Sequence, residues 1–200
     1  MKIMETAEKY VYTQYAALGE ANSTTRYELI DGVVYFMVPG PSQAHQEISR
    51  ELLRQFANFL DGKPCKVFHT PFDVCLNAKG DDDNTVVQPD LLVVCDESKL
   101  DGKRCNGAPD LIIEILSPSN RKYDMVKKFY RYLWAGVREY WIVDPEDQTV
   151  TVHILKNKEY TANVYSVNDD DLENDVKIDS VVPVHVLDGC EIDLKKVFSK

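Results

Sequence analysis

The chain has 200 residues, 44% of them hydrophobic and 10% aromatic, and a formal net charge of −10. That length and apolar content predict one domain over residues 1–200 with a real core and exclude a disordered chain. The acidic balance disfavours a protein that coats nucleic acid through a broad basic face. No apolar run approaches the ~20 residues needed to cross a bilayer, and the opening Met-Lys-Ile-Met-Glu-Thr has no apolar stretch of the export-signal type. Cysteines Cys65, Cys75, Cys95, Cys105 and Cys190 are odd in number and lack a CxxC pair. They argue against a zinc site and a disulfide framework and for a reducing cytoplasm, with most of them as small core residues.

In chain order, residues 6–18 predict a short helix capped by Thr6, with Gly19 just past its end. Residues 26–38 predict a hairpin around Asp31-Gly32, the dipeptide a type I′ turn prefers. Ser42 caps a long amphipathic helix on which Ala44, Ile48, Leu52, Phe56 and Phe59 recur at helical spacing, with Gly62 as its stop. Strands are expected at 66–69 and 72–76, followed by a solvated acidic tip at 81–84. Residues 86–94 read as one strand with an edge or bulge at Pro89, and 99–107 as a polar connection. After a strand near residue 114, Ser117–Asn120 can cap a second long helix ending near Ala135, with Gly136 at C′. Strands follow at 139–144 and 149–155. Beyond 156 the pattern weakens: an acidic loop at 168–179, a last strand at 181–187 and a closing helical turn at 194–198.

The chain is organised around Pro109-Asp110-Leu111-Ile112-Ile113-Glu114-Ile115-Leu116-Ser117-Pro118. Apolar side chains flank Glu114 on both sides, so both faces of this strand should be covered, as in the interior of an α/β sheet. A buried glutamate needs a partner, because an isolated ionised carboxylate there would protonate instead. Asp90 opens another apolar strand 24 positions earlier, and the helix after Glu114 carries Arg121, Lys122, Asp124, Lys127, Lys128 and Arg131. Two carboxylates on neighbouring strands with a lysine nearby make a site for Mg²⁺, which takes oxygen ligands and leaves positions for water and phosphate. On spacing alone other readings stand beside this one. Asp90 could simply start a strand after a proline turn, and Lys128 could be a surface i,i+4 partner of Asp124. Glu114 could belong to a buried structural pair with a lysine or arginine.

The order Tyr27-Glu-Leu-Ile-Asp-Gly, His45, Gln88-Pro-Asp, Ala108-Pro-Asp-Leu-Ile-Ile-Glu-Ile-Leu-Ser-Pro-Ser, Asp124 followed by Lys128, then Gly136-Val-Arg-Glu-Tyr-Trp-Ile-Val-Asp-Pro resembles the Uma-type restriction endonucleases of the PD-(D/E)XK nuclease superfamily. The resemblance implies an α/β (α+β) restriction-endonuclease-like core, a mixed central sheet flanked by helices. It implies Mg²⁺-dependent hydrolysis of DNA phosphodiesters, with Mn²⁺ able to substitute. Asp90 and Glu114 would bind the metal. The superfamily signature has a lysine two residues after that glutamate, where this chain has Leu116, and the resemblance puts the family's helical lysine at Lys128. Lys127, about 100° round the helix, should point elsewhere. Glu28 and His45 are second-tier site residues; Glu47 and Asp73 rank below them. Tyr140 and Trp141 are expected to pack the core, and Asp144 to end its strand at a turn with Pro145. DNA is the expected partner, and a homodimer is the assembly that would cut both strands. The competing expectation is a catalytically inactive nuclease-fold scaffold, which also predicts a direct Glu114–Lys128 contact but no metal.

Overall fold

The computed structural model of the protein describes residues 9–21, 25–37, 40–117, 124–167 and 179–199. The first helix is α1 (Tyr12–Ala21), later than the sequence predicts. Gln14 Oε1 accepts from the Val11 N–H at 2.9 Å, reaching back as the acid or amide of a capping box does. Gly19 therefore lies inside the helix, where it costs about 1 kcal/mol against alanine; Tyr15, buried against the sheet, anchors the helix. Thr6 lies outside the described residues.

The hairpin forms as expected, from β1 (Arg26–Ile30) and β2 (Val33–Met37). Asp31 and Gly32 have φ of 53° and 79°, as a type I′ turn requires. Next comes α2 (Gln43–Leu60), whose stripe Ile48, Leu52 and Phe56 is buried, each side chain contributing about 1.5–3 kcal/mol. Ser42 Oγ accepts from the His45 N–H at 3.2 Å at its N-terminus. Ser42→Ala is expected to cost about 1 kcal/mol in urea unfolding. An unchanged midpoint would show that the cap contributes nothing.

Strands β3 (Lys66–His69) and β4 (Asp73–Cys75) follow. The acidic tip is not a solvated loop. Asp83 is fully buried and accepts from the N–H groups of Asn77, Lys79 and Thr85, while Asp81 pairs with Arg104. Nor is 86–94 one strand. It divides into β5 (Val86–Val87) and β6 (Leu91–Val94), which belong to different sheets. Pro89 has no N–H to give a ladder, so the chain crosses from sheet to sheet at Gln88-Pro89-Asp90. The polar connection contains a short strand, β7 (Arg104–Asn106).

The strand built on Glu114 is β8 (Leu111–Ile115), buried along its whole length. Residues 118–123, including most of the expected cap, lie outside the described residues. The described part of the second helix is a π-helical turn, Asp124–Lys128, continuing as α3 (Phe129–Ala135), with Gly136 left-handed at φ 85°. The side chain of Asp124, and with it the i,i+4 pair, also lies outside them. Strands β9 (Glu139–Asp144) and β10 (Thr149–Lys156) match expectation. The sequence does not announce β11 (Glu159–Ser166), an edge strand with mostly exposed, mixed side chains. It is created by pairing with β10 across Asn157 and Lys158, both at positive φ. The acidic loop, apart from Asp179, lies outside the described residues. The last strand is shorter than predicted, β12 (Val181–Pro183), and is joined by β13 (Glu191–Asp193) and the turn α4 (Leu194–Val197).

Among the described residues the strands form three sheets, ordered β2-β1-β5-β4-β7, β11-β10-β9-β8-β6-β3 and β12-β13. Pairing is antiparallel except for β4 with β7 and β8 with β9. One face of the six-stranded sheet (Leu91, Val93, Leu111, Ile113, Ile115, Trp141) packs on the α2 stripe. The other (Leu92, Val94, Ile112, Leu116, Tyr140, Ile142) meets Tyr132 of α3 and the five-stranded sheet. The outer face of the five-stranded sheet is covered by α1 through Tyr15. Glu114 alternates with Ile113 and Ile115, so it projects into the layer between the two sheets.

Cys65 and Cys95 form a disulfide, S–S 2.11 Å, contrary to the cysteine reading. They flank the β3–β6 ladder, where Lys66 faces Val94, so strand pairing joins residues 30 apart in sequence. The argument for a reducing compartment loses that premise. Cys75, Cys105 and Cys190 are free and buried, as expected.

Candidate active site

The site is assembled where the sheet-to-sheet crossing meets the end of β8. Leu91 pairs with Ile113, so Asp90 stands one step further along, opposite Glu114. Glu28 comes from β1 in the other sheet, and Lys128 from the last residue of the π turn. Lys128 Nζ lies 2.8 Å from Glu28 Oε1 and 3.0 Å from Glu114 Oε1. All three side chains are almost fully buried, at 1%, 1% and 3% exposure. The Gln88 N–H donates to Glu28 Oε1 at 3.1 Å, so the crossing itself holds this acid. The Tyr132 hydroxyl, one turn after Lys128 on the same face, donates to Glu114 Oε1 at 2.5 Å. Sequence reasoning missed Tyr132, although its i+4 spacing from Lys128 was available as a signal.

Asp90 has different partners. Its Oδ2 accepts from the Ile115 N–H at 2.8 Å and lies 3.3 Å from His45 Nε2. Its Oδ1 has no hydrogen-bond partner among the described residues, and the side chain is 15% exposed. The structure thus gathers Glu28, Glu114 and Lys128 directly and joins His45 to Asp90 beside them. Among the described residues no three His, Cys, Asp or Glu side chains form a metal cage by themselves. Mg²⁺ commonly takes only one or two carboxylates and completes its shell with water and phosphate. Three carboxylates against one lysine also leave an excess of negative charge, a donor set that suits a hard cation.

Burial pulls the His45 pKa down, but the hydrogen bond and charge of Asp90, helped by the Ile115 backbone, outweigh it and leave the imidazole above its ordinary 6.5. A base raised on folding contributes its stability in full below pH 6.5 and loses it as pH rises through the folded value. Asp90→Asn is expected to move the His45 NMR titration of the metal-free protein to lower pH; an unmoved midpoint would contradict the pairing. His45 Nδ1 is buried with no partner among the described residues.

The other candidates fall elsewhere. Leu116 is core, with its N–H donating to Val143 O. Lys127 points away from Lys128 and donates to the Tyr35 hydroxyl at 2.9 Å. Glu47 is exposed and accepts from Gln43. Asp73 accepts from Gln88 Nε2 and the Tyr15 hydroxyl, in a separate cluster lining a cleft of about 310 Å³. Tyr140 and Trp141 are fully buried. Asp144 ends β9 and accepts from the N–H groups of Glu146 and Asp147.

Two packed sheets with an acidic crossing between them and a lysine-bearing helix at the sheet end define a restriction-endonuclease-like fold. The solved structure of a “putative nuclease” from Anabaena variabilis has the same architecture, with a TM-score of 0.65 and 23% identity over 86% of this chain and 89% of that one. The chain belongs to the Uma2 family, described as “Putative restriction endonuclease”, which it matches over residues 12–182. An uncharacterised Synechocystis protein is 33% identical over 113 residues, 56% of this chain and 57% of that protein's own length.

Proposed function

We infer that the protein is a Mg²⁺-dependent endonuclease that hydrolyses DNA phosphodiester bonds, with Asp90, Glu114 and Lys128 as its catalytic residues and Mn²⁺ as the ion that can replace Mg²⁺. The observation that carries this reading is the excess of acid at one buried lysine, in a chain of a restriction-endonuclease family. Asp90 and Glu114 are the residues to hold the metal. When bound, such an ion neutralises charge on a phosphoryl oxygen and lowers the pKa of water. His45 and the Ile115 N–H hold one oxygen of Asp90, which leaves the other available. Lys128, steadied by Glu28, orients Glu114 and supplies the ammonium that can donate to the attacking water or the developing oxyanion. The chain is read as a single domain acting on DNA in the cytoplasm, and a pair of copies would bring two sites to two strands.

One observation favours a non-catalytic scaffold instead: Lys128 is already closed between two glutamates, and Leu116 occupies the signature's lysine position. Supercoiled plasmid incubated with the protein decides between them. Nicked or linear product in Mg²⁺ that disappears in EDTA supports the nuclease; plasmid left intact in both Mg²⁺ and Mn²⁺ overturns it.

A further inference from the structure

The helix that carries Lys128 has a second face. Val126, Tyr130 and Trp134 recur every fourth residue and are 50%, 49% and 67% exposed. They are three of the four large hydrophobic side chains found exposed among the described residues, and such concentration marks an interaction site rather than surface scatter. The inward face of the same helix is fully used. Lys128 and Tyr132 enter the site, and Phe129 packs edge-on against Tyr140, His153 and Tyr160. The outward stripe is therefore not a displaced piece of core.

Cations are interleaved with the rings. The Arg131 guanidinium lies 4.7 Å from the Trp134 ring, and the Tyr130 and Trp134 rings are 5.7 Å apart. Lys127 is exposed one position after Val126. From 126 to 134 the helix has three basic residues (Lys127, Lys128, Arg131) and no acid, in a chain of net charge −10. That local reversal of sign discriminates between occupants. A second copy of the chain, docked across a two-fold axis, would set Lys127 and Arg131 against their own counterparts. A polyanion with aromatic faces meets no such repulsion.

We propose that this face binds single-stranded nucleic acid, with bases stacked on Tyr130 and Trp134 and phosphates met by Lys127 and Arg131; only the choice of DNA as the polymer rests on the nuclease reading. Stacking requires unpaired bases, because a duplex buries their faces. A helix with its side chains is about 10–12 Å across, so a strand leaving the Lys128 side reaches this stripe within a few nucleotides.

The test is binding of a labelled, mixed-sequence DNA oligonucleotide, followed by fluorescence anisotropy in EDTA so that cleavage plays no part. Single strands are expected to bind more tightly than the matching duplex, and affinity to fall as salt rises. Binding should quench the exposed Trp134 while the fully buried Trp141 is unaffected. Trp134→Ala is expected to weaken binding about tenfold or more, and Trp134→Phe to retain most of it. Thermal melting checks that the variants fold. Wild-type affinity in Trp134→Ala overturns the proposal. So does a wild-type dimer that Trp134→Ala makes monomeric with no loss of DNA affinity, which would make the stripe a self-interface. The two readings separate cleanly: Trp134-dependent binding without metal-dependent cleavage keeps this face and ends the nuclease, whereas Asp90-dependent cleavage with Trp134-independent binding does the reverse.

Discussion

Lys128→Met is expected to lower the free energy of unfolding by about 3–5 kcal/mol, the range for removing one partner of a buried ion pair. The methionine keeps much of the apolar stem but removes the one ammonium shared by Glu28 and Glu114. Both acids then remain out of water without their cation, and they repel each other. The Gln88 N–H and the Tyr132 hydroxyl still donate to them but bring no formal positive charge. Adding Glu28→Gln and Glu114→Gln to Lys128→Met should recover most of the loss, because the cost lies in the stranded charges rather than in missing contacts. Urea unfolding at constant m measures both variants. A loss below about 1 kcal/mol for Lys128→Met, the range of an exposed pair, would show that the lysine is not buried between the two acids.

The second large effect is on cleavage. Asp90→Asn and Glu114→Gln should each reduce Mg²⁺-dependent cleavage to the metal-free background while the protein stays folded. Both changes preserve shape and remove a negative charge. In Asp90→Asn the side-chain carbonyl can still accept from the Ile115 N–H, so a folding defect is not expected there. In Glu114→Gln the amide oxygen can still accept from Lys128 and Tyr132. Wild-type cleavage in both variants would remove these residues from the mechanism. Loss only in Glu114→Gln would point to the Glu28–Lys128–Glu114 cluster as the whole site.

Much of this site is legible in the sequence because the cost of burying charge is local. Glu114 sits among Leu111, Ile112, Ile113, Ile115 and Leu116, so its need for a partner follows from its neighbours alone. The choice of partner does not. Lys127 and Lys128 differ by one helical step, and the π turn that sets their directions leaves no composition signal; π turns of this kind recur at functional sites. The family resemblance, rather than spacing, singles out Lys128. Glu28 reads as surface from its hairpin and is buried only because the five-stranded sheet closes over the six-stranded one.

The sheet change at Pro89 shows the same limit. A proline in an apolar run signals interrupted pairing, but a bulge and a change of sheet remove the same hydrogen bond. Only the tertiary fold distinguishes them. Cys65 and Cys95 meet through the β3–β6 ladder, and β11 exists through its pairing with β10; neither is encoded in a local window. The features read correctly, such as the Asp31-Gly32 turn, the Ser42 cap and the Gly136 stop, are those whose backbone chemistry is satisfied within a few residues.

Calorimetric titration of Mn²⁺ into the wild type and into Asp90→Asn is the most direct measurement. A saturable heat in the wild type that disappears in the variant is the expected result. No heat in the wild type, or an identical heat in both proteins, would contradict a metal held by Asp90 and Glu114.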